Sequence, residues 1–168
     1  MNMPEHHSIG MVQYDYGHHM REHPMIYTPL TYKAMRICYE AHKDVLDKNG
    51  APYVFHPFIV AQSMDDEIST CVALLHDVVE DTEFTFDDLR KEGMPDEVID
   101  ALVLLTHDEY TPYMEYIEEM VQNPISVKVK LSDLAHNMDE TRYCRPMNDH
   151  ERERQMRYQR ARERLLRT

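Results

Sequence analysis

The chain is poor in glycine and cysteine, lacks tryptophan, and contains no long apolar run. Its four glycines are too few and too scattered to form a glycine-rich loop that cradles phosphates. No apolar run reaches the roughly eighteen residues of a membrane span, and the N-terminus lacks the basic and apolar progression of a signal peptide. These absences exclude a P-loop nucleotide site and favour a protein with no membrane partner.

The three cysteines show no paired spacing. Cys38 and Cys71 lie in apolar segments with helical periodicity, and the total count is odd. Cysteines of this kind usually pack as small hydrophobic side chains in reducing compartments. We therefore expect reduced thiols and a cytoplasmic location.

Acidic charge dominates the chain, whose formal net charge is −13. Residues 142–168 hold nine arginines against four acidic residues, so this segment carries +5 and the other 141 residues carry −18. A body this acidic repels nucleic-acid backbones, and the basic segment lacks the interleaved aromatic residues that favour RNA. We expect no nucleic-acid partner, and we expect the basic segment to lie across the acidic body or beside a polyanionic substrate.

A chain of 168 residues that is 42% hydrophobic can bury one core, which predicts a single domain. Residues 1–27 are rich in His, Met, Pro and Tyr without a sustained period, and we interpret them as an irregular N-terminal arm. Apolar residues then recur with helical spacing, so residues 28–168 are predicted to form an all-α bundle. The sequence leaves open whether copies of the chain associate.

Capping residues predict where the helices begin and end. Thr28-Pro29 is typical of an N-cap followed by proline, and Asn49-Gly50 is typical of a helix end, so the first helix is predicted to reach about Lys48. The other predicted helices cover residues 57–64, 68–80, 85–92, 95–105, 112–122, a segment around Asp133, and residues 149–166.

Four ionisable residues lie within an apolar segment that has every reason to be buried: His76, Asp77, Glu80 and Asp81. Such groups are costly to bury unless they bind something. In a continuous helix they occupy two adjacent stripes and can face one pocket. The first pair is predicted to bind a divalent cation, and the second pair to handle a proton or a water. The competing interpretation, a solvated helix end, is disfavoured because the neighbouring residues leave no polar face.

Two residues elsewhere are candidates to complete the metal site. His56 precedes Pro57 at the start of an apolar run, and Asp133 lies beside the apolar stripe of its predicted helix. Each residue alone is weak evidence, because isolated histidines and aspartates are more often structural. Together with His76 and Asp77 they form a set of two nitrogen and two oxygen ligands, which suits manganese, iron, cobalt or zinc.

Five motifs follow one another between about Thr28 and Arg142. They are Ala41-His42, residues 50–57, residues 73–82, Asp88-Leu89, and residues 129–133 with His136-Asn137-Met138. In this order they resemble the hydrolase domain of the RelA/SpoT alarmone enzymes. The chain is most similar to the stand-alone small alarmone hydrolases of the HD superfamily.

The resemblance implies a helical HD domain that holds one manganese ion through four ligands: His56, His76, Asp77 and Asp133. It also implies that Glu80 and Asp81 activate the water that removes the 3′-pyrophosphate from (p)ppGpp. On the substrate side it implies nucleotide contacts by Lys48, Tyr53 and Asn137.

The nucleotide side departs from the family pattern. Asp44-Val45 and Asp47 stand where the family usually has a Gly-Gln pair and an arginine, and Asp139 stands where another arginine is common. We therefore expect modest affinity for guanine unless another side chain compensates for Asp47. Hydrolysis of another nucleotide stays open, with ppApp, a deoxynucleotide or the 2′-phosphate of NADPH as candidates. A non-catalytic nucleotide-sensing module is the third alternative, which the intact Glu80-Asp81 pair disfavours.

Overall fold

The structure is a computed structural model that describes residues 25–168. Within this range every regular element is helical, apart from an isolated β-bridge between Leu46 and Pro52. The predicted all-α architecture is thereby confirmed for these residues. The predicted irregular arm falls mostly on residues 1–24, which lie outside the described range. None of the described helices combines the length and apolar character needed to cross a membrane.

The helices follow one another as short elements joined by tight turns. Along residues 25–168 they are α1 (Pro29–His42), α2 (Phe55–Ala61), α3 (Glu67–Leu75), α4 (Val78–Asp81), α5 (Phe86–Lys91), α6 (Asp96–Leu105), α7 (Tyr113–Met120), α8 (Pro124–Asn137), a 3-10 helix (Glu140–Arg142) and α9 (Asp149–Leu165). The helices predicted at 85–92, 95–105, 112–122 and 149–166 match α5, α6, α7 and α9 to within two residues.

Helix α3 forms the centre of the bundle. All residues from Ser69 to Leu75 are buried, and α3 packs against α1, α2, α6 and α8. Its N-cap is Asp66, whose carboxylate accepts the backbone amide of Ser69 at 2.7 Å. Because α2 and α8 both pack on α3, side chains from these two helices can meet the residues that follow its C-terminal end.

The first helix is shorter than predicted, because α1 ends at His42 instead of Lys48. After it the chain reverses in a turn that the carboxylate of Asp47 stabilises. Oδ1 of Asp47 accepts the backbone amides of Asn49 and Ala51 at 2.9 and 3.0 Å. Asp47 and Lys48 therefore belong to a turn beyond α1.

The prediction of one continuous helix over residues 68–80 is wrong. Helix α3 ends at Leu75, a turn follows at His76 and Asp77, and α4 begins at Val78. Nδ1 of His76 lies 2.8 Å from the carbonyl oxygen of Ala73, which is the acceptor that a continuing helix would use. The two continuous stripes that the sequence suggested are therefore not the geometry that gathers these side chains. Helix α2 also begins earlier than predicted, so that His56 lies in its first turn.

The basic C-terminal helix lies against the rest of the bundle, which is the first of the two placements predicted for it. Helix α9 packs on α7 and α8 and buries Ala161 and Leu165. Nε and Nη2 of Arg164 donate to the two carboxylate oxygens of Glu118, both at 2.6 Å. Burial of the apolar positions and this paired geometry together hold α9 in place.

Helix α8 offers a test of how local capping supports the fold. Its N-cap Asn123 accepts the backbone amides of Ile125 and Ser126 at 2.9 and 3.2 Å. The change Asn123→Ala should lower the free energy of unfolding by about 1 kcal/mol, because these amides lose their acceptor. Urea denaturation followed by circular dichroism measures this loss. Asn123→Asp keeps the acceptor and should be close to wild type, so an equal loss in both variants would contradict the capping argument.

Candidate active site

The four side chains predicted to bind a metal meet beside the C-terminal end of α3. They come from α2 (His56), the turn after α3 (His76 and Asp77) and α8 (Asp133). Nε2 of His56 lies 3.1 Å from Oδ1 of Asp133, and Nε2 of His76 lies 3.0 Å from Oδ2 of Asp77. We call these four residues the ligand cluster.

Three members of the ligand cluster already have the mutual spacing of a metal site. His56, His76 and Asp133 are buried, and each offers a ligand atom within 4.8 Å of the others. Nε2 of His76 is buried, and among residues 25–168 no group meets it with hydrogen-bond geometry, although Oδ2 of Asp77 lies only 3.0 Å away. A buried imidazole nitrogen that faces carboxylates suits a divalent cation. Oδ2 of Asp77 lies 3.7 Å from Nε2 of His56, so the fourth predicted ligand stands next to the other three.

Both carboxylates of the ligand cluster are ionised. Burial raises the pKa of Asp133, but the Lys130 ammonium and the two histidines of the cluster outweigh burial and hold that pKa well below its usual range. Burial also raises the pKa of Asp77, and the neighbouring His76 outweighs it, so the pKa of Asp77 is lowered as well. Two negative charges and two imidazoles therefore face the position where a cation would lie.

Two residues predicted to touch the nucleotide also orient the ligand cluster. The hydroxyl of Tyr53 donates to Asp77, and the side-chain amide of Asn137 donates to Oδ1 of Asp133 at 2.5 Å. Nζ of Lys130 lies 2.9 Å from Oδ2 of Asp133. Contacts of this kind fix the direction in which a ligand carboxylate points.

Sequence reasoning assigned no role to His136, which supports His56. Their Nδ1 atoms lie 2.6 Å apart and their rings stack with centroids at 4.9 Å. The Nδ1 atoms of both ligand histidines thus have a partner, and their Nε2 atoms face the carboxylates. His136 follows Asp133 by three residues on α8, and this spacing on one helical face is the signal that could have identified it.

His42 was likewise given no role by the sequence. It is 1% exposed, and neither ring nitrogen has a hydrogen-bond partner among residues 25–168. Burial lowers the pKa of His42, so the ring is neutral. Its ring meets that of Tyr53 edge to face at 5.1 Å between centroids, which makes it a packing support for the tyrosine that bonds Asp77.

An open cleft beside the ligand cluster has two lobes of about 410 Å³ each. Four residues line both lobes and mark their junction: Lys48, Tyr53, Asp81 and Asn137. The inner lobe is the one also lined by Asp77, Glu80, His107, Lys130, Asp133 and Arg157. The outer lobe is the one also lined by His42, Val45, Leu46, Asp47, Arg142 and Tyr143.

Glu80 and Asp81 lie on α4 at the exposed rim of this cleft. Oε2 of Glu80 accepts the backbone amide of His107 at 2.9 Å, which fixes one of the two carboxylates. Partial desolvation, followed by the charges of Asp77 and Glu80, raises the pKa of Asp81 to about 6. A carboxyl group that titrates near neutral pH is suited to accept a proton from water.

Positive charge in the outer lobe comes from Arg142 and Lys48. Nη2 of Arg142, in the 3-10 helix after α8, donates to Oδ2 of Asp47 at 3.0 Å. A cation therefore stands beside Asp47 in this lobe. Lys48 adds a second cation, and its pKa is lowered by partial desolvation and by the guanidinium groups of Arg154 and Arg142.

Known proteins resemble this chain in sequence. No protein-family profile matches it. A probable GTP pyrophosphokinase of Mycobacterium leprae is 32% identical over 141 residues, and a guanosine-3′,5′-bis(diphosphate) 3′-pyrophosphohydrolase of Haemophilus influenzae is 32% identical over 124 residues. The bifunctional (p)ppGpp synthase/hydrolase SpoT of Escherichia coli is 30% identical over 130 residues. These matches cover 76%, 66% and 68% of the chain, but each covers only 18% of the relative.

A solved structure shares the fold. It is that of a metazoan ortholog of SpoT, described as hydrolysing ppGpp, with a TM-score of 0.68 and 24% sequence identity. The similarity covers 84% of this chain and 88% of that one. The resemblance that the sequence motifs indicated is thereby confirmed. The chain is therefore similar in sequence to a part of the RelA/SpoT proteins, and it shares the fold of a metazoan SpoT ortholog.

Proposed function

We propose that the chain is a manganese-dependent hydrolase that removes the 3′-pyrophosphate from guanosine alarmones, (p)ppGpp. The observation that carries this proposal is the ligand cluster beside the junction of a two-lobed cleft. The names of the Haemophilus influenzae and Escherichia coli relatives include this activity, which supports the proposal.

The metal would be held by His56, His76, Asp77 and Asp133. Two imidazoles and two carboxylates suit several transition metals, and the resemblance to the family favours manganese among them. When bound there, a divalent cation supplies charge neutralisation to a diphosphate and lowers the pKa of a water. Lys130 and Asn137 keep the Asp133 carboxylate in position for this role.

Proton handling would fall to the two carboxylates on α4. Asp81 lines both lobes at their junction and accepts the proton of the attacking water. Glu80, which the amide of His107 holds in place, orients that water. The water oxygen attacks the phosphorus bonded to the 3′ oxygen, and the bond between that phosphorus and the 3′ oxygen breaks. Pyrophosphate leaves, and the 3′ oxygen takes up the proton that Asp81 accepted, which restores the 3′ hydroxyl.

The two lobes differ in a way that suits the two ends of an alarmone. The outer lobe has exposed apolar side chains, Val45 at 42% and Leu46 at 65% exposure, which can cover the face of a base. The inner lobe contains the carboxylates of the ligand cluster together with Lys130 and Arg157. We therefore place the nucleoside in the outer lobe and the 3′-diphosphate in the inner lobe.

We further propose that the protein works in the cytoplasm. Cys38, Cys71 and Cys144 are all free of disulfides in the described residues, and the first two are buried. Unpaired cysteines of this kind are typical of reducing compartments.

A nucleotide panel tests the proposed activity. The purified chain with manganese should release pyrophosphate from ppGpp and pppGpp, a chelator should abolish the release, and added manganese should restore it. Chromatography of the products identifies which bond is cleaved. The same assay includes ppApp, NADPH and deoxynucleotides, and faster hydrolysis of any of these than of ppGpp would contradict the alarmone proposal. Binding without turnover of any nucleotide would favour a sensing module.

The variant Glu80→Gln separates proton handling from metal binding. It should keep the fold and the metal but lose on the order of 10²-fold in kcat, the usual scale of general acid–base help. Circular dichroism, metal analysis and steady-state kinetics measure the three properties. Glu83→Gln is the matched control, because Glu83 is exposed just beyond α4 and should leave kcat unchanged. Normal turnover in Glu80→Gln would show that another group handles the proton.

A pair of variants tests Asp133 as a ligand while controlling for stability. The Lys130 side chain is only 14% exposed, and its ammonium pairs with Asp133. Asp133→Ala removes that partner, and the unpaired charge should lower the free energy of unfolding by roughly 3 kcal/mol. Asp133→Ala combined with Lys130→Met should recover much of that stability and still fail to bind manganese. Chemical denaturation and metal analysis follow the two effects separately. Stoichiometric metal in the double variant would rule out Asp133 as a ligand.

A further inference from the structure

The outer lobe contains an arginine that is held at two points. Nη2 of Arg142 donates to Oδ2 of Asp47 at 3.0 Å, and Nη1 donates to the carbonyl oxygen of His136 at 3.1 Å. The Arg142 side chain is 24% exposed and lines the outer lobe. Its guanidinium is therefore fixed in orientation while part of it faces the space of the lobe.

The partner carboxylate is itself fixed. Oδ1 of Asp47 accepts the amides of Asn49 and Ala51, so the turn after α1 holds the carboxylate that Arg142 meets. Burial raises the pKa of Asp47, but these amides and Arg142 outweigh burial and lower it, so the ion pair is charged on both sides. Asp47 serves to present Arg142, because its own oxygens are already engaged.

The chemistry of this pair favours a base over a phosphate. Asp47 neutralises the charge of Arg142. Nη1 is used by His136 and one N–H of Nη2 by Asp47, so Nε–H and the second N–H of Nη2 are the two neighbouring donors that a ligand can meet, with little net charge. The exposed apolar side chains of Val45 and Leu46 in the same lobe suit the flat face of a purine. A 6-oxopurine offers two adjacent acceptors, O6 and N7, that match an arginine fork, whereas adenine places a donor at the same edge.

We propose that Arg142, presented by Asp47, determines the base specificity of the site and selects 6-oxopurine over 6-aminopurine nucleotides. The inference rests on the proposed function, since a diphosphate at the ligand cluster is what directs the base into the outer lobe. Neither residue was identified as a base reader from the sequence.

Paired kinetics with ppGpp and ppApp test the role of Arg142. In Arg142→Met, kcat/KM for ppGpp should fall on the order of tenfold to a hundredfold, mainly through KM, while ppApp should change by less than about threefold. Arg142→Lys keeps the charge but loses the fork, so it should lose the same preference. The matched control is Arg152→Met, because Arg152 is exposed on α9 and lines neither lobe.

A change at Asp47 tests the presentation of Arg142. Asp47→Asn keeps an oxygen for the amides of Asn49 and Ala51 but places an amide N–H donor opposite Arg142 in place of the carboxylate oxygen that accepts from it. The preference for ppGpp should fall partway towards that of Arg142→Met, with thermal stability close to wild type. Full retention of the preference would show that Asp47 does not present Arg142.

The outcomes distinguish this inference from the proposed function. An equal fall for ppGpp and ppApp in Arg142→Met, or rescue of both by Arg142→Lys, would identify a charge or phosphate contact and overturn base reading. Hydrolysis of neither nucleotide by the wild-type chain would contradict the proposed function. In that case the ratio of dissociation constants for ppGpp and ppApp, from isothermal titration, still decides the role of Arg142. If Arg142→Met leaves this ratio of dissociation constants unchanged, Arg142 does not read the base.

Discussion

The buried carboxylate of Asp133 is the constraint on which the site depends. Asp133 is 4% exposed, and a carboxylate at that depth costs several kcal/mol unless charged and hydrogen-bonding partners surround it. Its partners are Lys130 and Asn137 on its own helix and His56 on α2. Helices α2 and α8 must therefore be held together, and helix α3, which is buried from Ser69 to Leu75, packs against both of them.

The turn at His76 and Asp77 separates two side-chain environments that lie only a few residues apart in sequence. Because α3 stops at Leu75, both side chains of the turn enter the ligand cluster, and α4 then carries Glu80 and Asp81 to the exposed rim. Cation binding needs ionised carboxylates held in one direction, whereas proton transfer needs a group that titrates near the working pH. The break in the helix lets neighbouring residues occupy these two environments.

The two lobes of the cleft differ in the charges that line them. The inner lobe contains four carboxylates, and the ammonium of Lys130 pairs with one of them, Asp133. In the outer lobe Asp47 and Arg142 form an ion pair, and exposed apolar side chains line the same space. A ligand with an anionic end and an aromatic end fits this division, provided that a divalent cation accompanies the anionic end.

The sequence by itself determined the helical class, the capped start of α1 at Thr28, and the identity of the four clustered side chains. These features have local causes, namely apolar periodicity, capping chemistry, and the cost of burying ionisable residues. The tertiary structure decided where α1 and α3 stop, and it joined Asp47 to Arg142 across 95 residues. No periodic pattern carries such a pairing, because it forms only when the turn after α1 and the end of α8 are brought to the same cleft.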